Sequence, residues 1–204
     1  MKDRAAAAII GFMDKNVVSY RIDAADRIVE ASDSWDVFAV ENKAPRLTRK
    51  GVAGRFLWDF IEGSDTRHLF RLMLSKARAS LSTMRIPFRC DSPEIKRFME
   101  MEISPHPDGS IDFVCTTLKT EARTPVAFID PDVDRSNEWR TICSWCKRIR
   151  MPGGEWVALE DGIRRLDLFG SKRPPRMSHG ICPEDLERAY REMESAGKAK
   201  KKAA

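Results

Sequence analysis

Three thiols and an imidazole are gathered in the last third of the chain. Cys143-Ser-Trp-Cys146 places two thiols with two residues between them, and His179-Gly-Ile-Cys182 repeats the gap with an imidazole and a third thiol. Two short-gapped pairs, separated by a segment long enough for a small helix, suit a tetrahedral Cys₃His zinc site. Ligands at i and i+3 on one turn can both reach one ion, at roughly 2.3 Å for thiolate and 2.0 Å for imidazole. A second chemistry stays open for Cys143 and Cys146, a thiol redox switch. Such a motif ordinarily starts the helix of a thioredoxin-like βαβ unit, and no such unit surrounds it. Thiols that only pack are the third reading.

The elements that must position this cluster form a small helical Cys/His module over residues 139–196. Arg148-Ile-Arg150 follows the first pair and Pro152-Gly-Gly154 turns the chain. A short helix is predicted over 155–166, with Trp156, Leu159, Ile163 and Leu166 on one face. Gly170 to Arg176 is a loop delivering His179, and Pro183 suits the first turn of a final helix to Met193. So few apolar residues make a thin core, which is the physical case for a metal staple. Residues 121–138, with Pro125 and Pro131, read as an extended polar linker, and 197–204 as a basic tail.

The larger region, 16–120, has a different pattern. Val17–Asp23 and Arg27–Ala31 read as a hairpin, and Ser32 to Ser34 as the cap of a short helix through Trp35 and Phe38. Ser64 or Asp65 caps a longer helix carrying Leu69, Phe70, Leu72, Met73 and Ala77. From Thr83 the period becomes two: Met84, Ile86, Phe88 and Cys90, then Met99, Met101 and Ile103, then Ile111, Phe113 and Cys115 after a Pro107-Asp-Gly109 turn. Pro87 belongs at an edge or bulge. Residues 1–15 are predicted to form an amphipathic helix, with Ile9, Ile10, Phe12 and Met13 on its apolar side. The expected fold class is α+β, a hairpin, short helices, a longer helix and a three-stranded meander, plus the small helical, zinc-stapled module.

This order of elements resembles a PAS domain. The residues that carry the likeness are Tyr20-Arg-Ile-Asp23 with Arg27-Ile-Val29, Ala31-Ser-Asp-Ser-Trp35 with Phe38-Ala39, Gly54-Arg-Phe-Leu-Trp-Asp-Phe60, and the three closing strands. The resemblance implies a five-stranded antiparallel sheet with flanking helices, whose concave face, with the helices, encloses a pocket for a small ligand. Haem-binding PAS sensors carry their iron-ligating histidine on the helix that holds His68, so the likeness admits haem as an alternative cofactor there. The C-terminal segment resembles a tail that follows PAS domains in some bacterial signalling proteins, reading C-x-x-C-K-x-I-R and later S-H-G-I-C-P-x-C. Cys143 to Arg150 and Ser178 to Pro183 match, and Asp185 stands where that pattern has its last cysteine. The comparison admits Asp185 as a substitute oxygen ligand.

Composition excludes several classes. A chain 42% hydrophobic and 33% charged is globular rather than disordered. No apolar run reaches the length of a membrane span, and the Ala5 to Ile10 run is too short for a secretory leader, so the expected location is cytoplasmic. Five cysteines, three of them clustered, fit a reducing compartment. Four of the 36 basic residues are the tail lysines Lys198, Lys200, Lys201 and Lys202; without them 32 bases face 31 acids, a net of +1. Arg140, Lys147, Arg148 and Arg150 remain as a local patch, the basis of an alternative reading as a nucleic-acid-binding regulator. No phosphate-binding glycine loop, histidine-kinase core or Ser/His/Asp set is present, so no enzyme is expected. The leading expectation is a sensory or adaptor protein, a homodimer through the outward sheet positions Phe98, Val114 and Leu118, acting on an unidentified signalling partner.

Overall fold

The computed structural model describes the chain from residue 16 to 203, with side chains to 198; the helix expected over residues 1–15 lies outside the described residues. Strands β1 (Val17–Ile22) and β2 (Ile28–Ala31) form the hairpin read from the sequence. Helices α1 (Asp33–Glu41), the four-residue α2 (Arg49–Val52) and α3 (Ser64–Ser80) follow. Strands β3 (Met84–Arg89), β4 (Ile95–Pro105) and β5 (Ile111–Ala122) then complete an antiparallel sheet in the order β2-β1-β5-β4-β3.

The period-two positions make one face of this sheet. Met84 pairs with Ile103, Ile86 with Met101, and Ile103 with Phe113 across neighbouring strands. These residues, with Ile22 and Ile111, meet Leu69, Met73, Leu74 and Ala77 of α3 in one apolar cluster. Phe113, Met73, Met84 and Ile103 are fully buried. The helix caps differ from expectation. Gly63, in a left-handed conformation at φ 84°, is the residue before α3, and Ser64 and Asp65 fall inside its first turn. Ser32 does precede α1, but its hydroxyl accepts the Ser19 N–H at 3.1 Å instead of capping the helix.

The C-terminal part is not purely helical, which corrects the sequence reading. Strands β6 (Trp139–Cys143), β7 (Ile149–Arg150), β8 (Trp156–Val157) and β9 (Arg176–Gly180) form a second sheet in the order β8-β7-β6-β9, with β6 and β9 parallel. Helix α4 is only Leu159–Arg165, because Trp156 and Val157 are taken up by β8, and α5 runs Pro183–Ala203. Strands of two to five residues are too short to show a period, so of this sheet the sequence displayed only the turn at Pro152-Gly-Gly154. The stretch at 121–138 is no free linker either. Val126 and Phe128 are buried with Ile142, Ile149, Met151, Leu159 and Ile163 in a second apolar cluster.

The two parts share structure. Residues Cys143, Trp145, Cys182, Ala189, Met193 and Ala196 belong to the same buried cluster as the large sheet and α3. β3 is an edge strand, as Pro87 requires. Its outward donors are used by the C-terminal part: the Arg85 N–H donates to Glu192 Oε1 at 3.0 Å and the Arg89 N–H to the Trp145 carbonyl at 2.7 Å. Pro87 has no N–H to satisfy, so the exposed edge is closed. An ion network adds a polar fastening. The Asp91 side chain, almost fully buried, contacts Arg89 and Arg123, and Arg123 reaches Glu160 of α4 at 3.1 Å, which also meets Lys96 at 2.9 Å.

Candidate metal centre

Cys143 ends β6, where pairing with β7 turns the chain sharply. Its N–H donates to the Arg148 carbonyl at 2.7 Å, and its carbonyl accepts from the Lys147 N–H at 3.1 Å. Lys147 takes the left-handed conformation, φ 62°, which closes this turn and brings Cys146 back under Cys143. Cys182 stands just before α5, accepting the Leu186 N–H at 3.0 Å on its carbonyl. Pro183 is the first helical residue, as expected, and Asp185 lies in the first turn. A carboxylate there is favoured by the unpaired N–H groups of the helix start.

The donor atoms of Cys143, Cys146, Cys182 and Asp185 lie within 4.8 Å of one another. The Cys146 and Cys182 sulfurs are 3.7 Å apart, and Asp185 Oδ2 is 3.2 Å from the sulfurs of Cys143 and Cys182. Four donors around a tetrahedral ion bonded to sulfur at about 2.3 Å would hold their sulfurs roughly 3.8 Å apart. The spacing therefore fits zinc. Burial fits it as well, since Asp185 is 4% exposed and Cys143 and Cys182 less. A carboxylate so buried needs partners, and it has Arg188 Nη1 on Oδ1 at 2.9 Å and the sulfurs on Oδ2.

The protonation pattern shows groups competing for negative charge. Burial works against an ionised Asp185, yet hydrogen bonds from Cys146, Cys143 and Cys182, with Arg188 beside it, hold its carboxyl below the usual range. Cys143 is lowered chiefly by Cys146 beside it, and Cys146 is raised chiefly by Cys143, so the proton between the two thiols stays with Cys146. A zinc ion would relieve this competition by replacing the shared protons. Three thiolates, one carboxylate and the ion would carry a net negative charge, with Lys147, Arg148 and Arg188 flanking it.

His179 is not in this group, a correction to the expected Cys₃His set. In the parallel pairing of β6 and β9, His179 is level with Ile142 and Gly180 with Cys143. Successive strand residues point to opposite faces, so the imidazole is one position out of phase with the Cys143 thiol. Its Nδ1 instead lies 3.1 Å from Glu62 Oε2, and burial holds its pKa below the usual value. Asp185, the substitute ligand, takes the fourth place. No protein-family model matches this chain, and no curated protein matches it. The site stands on its own geometry.

Other candidate residues are placed as follows. His68 is exposed on α3, while Thr66, Leu69 and Met73 face inward, so it offers no axial ligand inside the fold. Cys90 and Cys115 are apart from the cluster, and burial raises both thiols, Cys115 to about 12. In the basic patch Arg140 pairs with Glu138, Arg148 with Glu184, and Lys147 donates to the Ser144 carbonyl at 2.8 Å. The residues between the first two ligands were missed by the sequence reading. Ser144 Oγ is 2.8 Å from Thr66 Oγ1 of α3, and Trp145 stacks on Phe70 at 5.3 Å between ring centroids. Their types alone carried no signal, because neither has meaning without the fold that faces it.

Proposed function

We propose that this chain is a sensory or adaptor protein in which a PAS-like domain is joined rigidly to a zinc-stapled C-terminal module. The observation that carries the reading is the shared structure around the cysteine turn: the same four residues hold two metal donors and the contacts to α3 and β3. The order of elements in residues 16–122 and the five-stranded antiparallel sheet support the PAS likeness.

Zinc is the proposed ion because three sulfurs and one oxygen at tetrahedral spacing suit it better than they suit magnesium or calcium. Cys143, Cys146, Cys182 and Asp185 would hold it, closing all four positions, so its role is structural. The space between the large sheet and α3 is filled by Ile22, Met73, Leu74, Ile103 and Phe113. A small ligand fits better in the 330 Å³ cavity where the end of α1 meets the β3–β4 turn and the 121–138 segment, lined by Asn42, Cys90, Arg97, Pro125 and Pro131. A ligand there touches the 121–138 segment, whose Val126 and Phe128 pack against Ile142, Ile149 and Leu159, and through that segment its presence would reach the module.

A homodimer through the outer sheet face is part of this proposal. Leu118 is 63% exposed, and next to it the Thr117 N–H donates to the Asn16 carbonyl at 2.7 Å. The nucleic-acid reading has less support, because acidic partners occupy Arg140 and Arg148. No helix among the described residues is long and apolar enough to cross a membrane. Native mass spectrometry of anaerobically purified protein tests the reading in one measurement. The expected species is a dimer with one zinc per chain, with or without a retained small ligand; a metal-free monomer would contradict it.

A further inference from the structure

We infer that the cysteine centre is also a thiol-oxidation site, at which a hydroperoxide joins Cys146 to Cys182 and thereby loosens the C-terminal part from the β3 edge. The inference rests on the zinc reading above and extends it to the regulation of the same site.

Distance comes first. The Cys146 and Cys182 sulfurs, 3.7 Å apart, come from different elements 36 residues apart. Closing that gap to a disulfide of about 2.0 Å needs a shift of less than about 2 Å in side chains that sit at a turn and a helix start. Access differs among the thiols. Cys146 is half-buried, whereas Cys143 and Cys182 are 0% and 1% exposed. An oxidant arriving from water meets Cys146 first.

The step balances with the peroxide as the only oxidant. Cys146, which zinc would hold as a thiolate, takes one oxygen from the hydroperoxide, the O–O bond breaks, and the peroxide leaves as its alkoxide, or hydroxide for hydrogen peroxide. The Cys182 thiolate then attacks the Cys146 sulfur and displaces hydroxide, so two electrons have passed from the sulfurs to the peroxide. Cys143 and Asp185 are left as the only donors, too few to keep a closed zinc site.

Location gives the reaction its consequence. Ser144 and Trp145 lie between Cys143 and Cys146, and they supply the Thr66 hydroxyl contact, the stack on Phe70 and the carbonyl that accepts the Arg89 N–H. Drawing Cys146 toward Cys182 moves the turn that carries these contacts. The Arg89 amide, on the β3 edge that this turn covers, is then exposed to solvent.

The test uses the full chain, and in parallel a Cys90→Ser, Cys115→Ser version in which only the cluster thiols remain. Zinc content is measured before oxidation; its absence at that stage is a failure of the zinc reading, separate from this one. Hydrogen peroxide is then added while zinc release, peptide cross-links and amide exchange over residues 84–89 are followed. The expected result is one zinc released per Cys146–Cys182 cross-link and faster exchange at Arg89, all reversed by dithiothreitol with added zinc. Release with a Cys143–Cys146 cross-link, a Cys146–Cys182 cross-link with unchanged exchange, or zinc and thiols untouched by peroxide that oxidises free glutathione would each overturn the inference.

Discussion

The two regions of this molecule solve the problem of stability differently. The large sheet and α3 bury a continuous apolar layer, with Ile22, Met73, Met84, Ile103, Ile111 and Phe113 at or near complete burial. The C-terminal region has only a small cluster of its own, around Phe128, Ile142, Ile149, Leu159 and Ile163. It compensates by leaning on its neighbour through Trp145, Ala189, Met193 and Ala196, and it gathers four side chains that could hold a metal ion. A region that is short of core depends on chemistry and on docking, and each dependence can be removed separately.

Removing the metal should separate the regions most. Structural zinc contributes on the order of 10 kcal/mol to the modules it folds. Cys182→Ala, or a strong chelator, is expected to unfold residues 139–198 while amide protection in β4 and β5 persists. Circular dichroism with hydrogen exchange reads both at once; cooperative loss of the whole chain would show that the regions are one unit instead.

The docking can be strained while the metal is kept. Gly63 has a positive φ, and a Cβ there would come within 2.4 Å of the His179 carbonyl oxygen. Gly63→Ala is therefore expected to destabilise the junction by about 1–3 kcal/mol. Zinc content should stay unchanged, and exchange should quicken at the Thr66 and Arg89 amides. An unaltered junction would mean that α3 and β9 do not press together as the structure has them.

Acid should weaken a third connection. Burial opposes ionisation of Glu160, but hydrogen bonds from Lys96, its own backbone N–H and Arg123 prevail and hold its pKa down at about 2. A carboxylate with a depressed pKa in the folded state stabilises above its ordinary value of 4.5, and that support is lost as pH falls toward 2. Glu160→Gln should flatten the acid limb of the stability profile in that window, measured by urea unfolding at successive pH values. The smallest effect belongs to His68→Ala. On an exposed helix face it should change stability by less than about 0.5 kcal/mol and leave ligand content as it was.

Much of the large sheet was legible because its elements are long. β4 and β5 span 11 and 12 residues and α3 spans 17, enough for alternation and for the 3.6-residue stripe to stand out. β7 and β8, two residues each, offered no period, and the parallel pairing of β6 with β9 joins segments more than thirty residues apart. Val126 and Phe128 were hidden among prolines and aspartates. Within the site, spacing identified the three cysteines, but it could not choose between His179 and Asp185. That choice depends on the phase of β9 and on the start of α5, and Pro183 pointed to only the second. The Asp91, Arg89 and Arg123 network was invisible, since charged residues near turns ordinarily face water.

The most direct test of the central claim is zinc-edge X-ray absorption of the anaerobically purified protein. Three sulfurs at about 2.3 Å and one oxygen at about 2.0 Å, unchanged in His179→Ala, is the predicted result. A sulfur₃–imidazole shell that disappears in His179→Ala, or a sample without stoichiometric zinc, would contradict it.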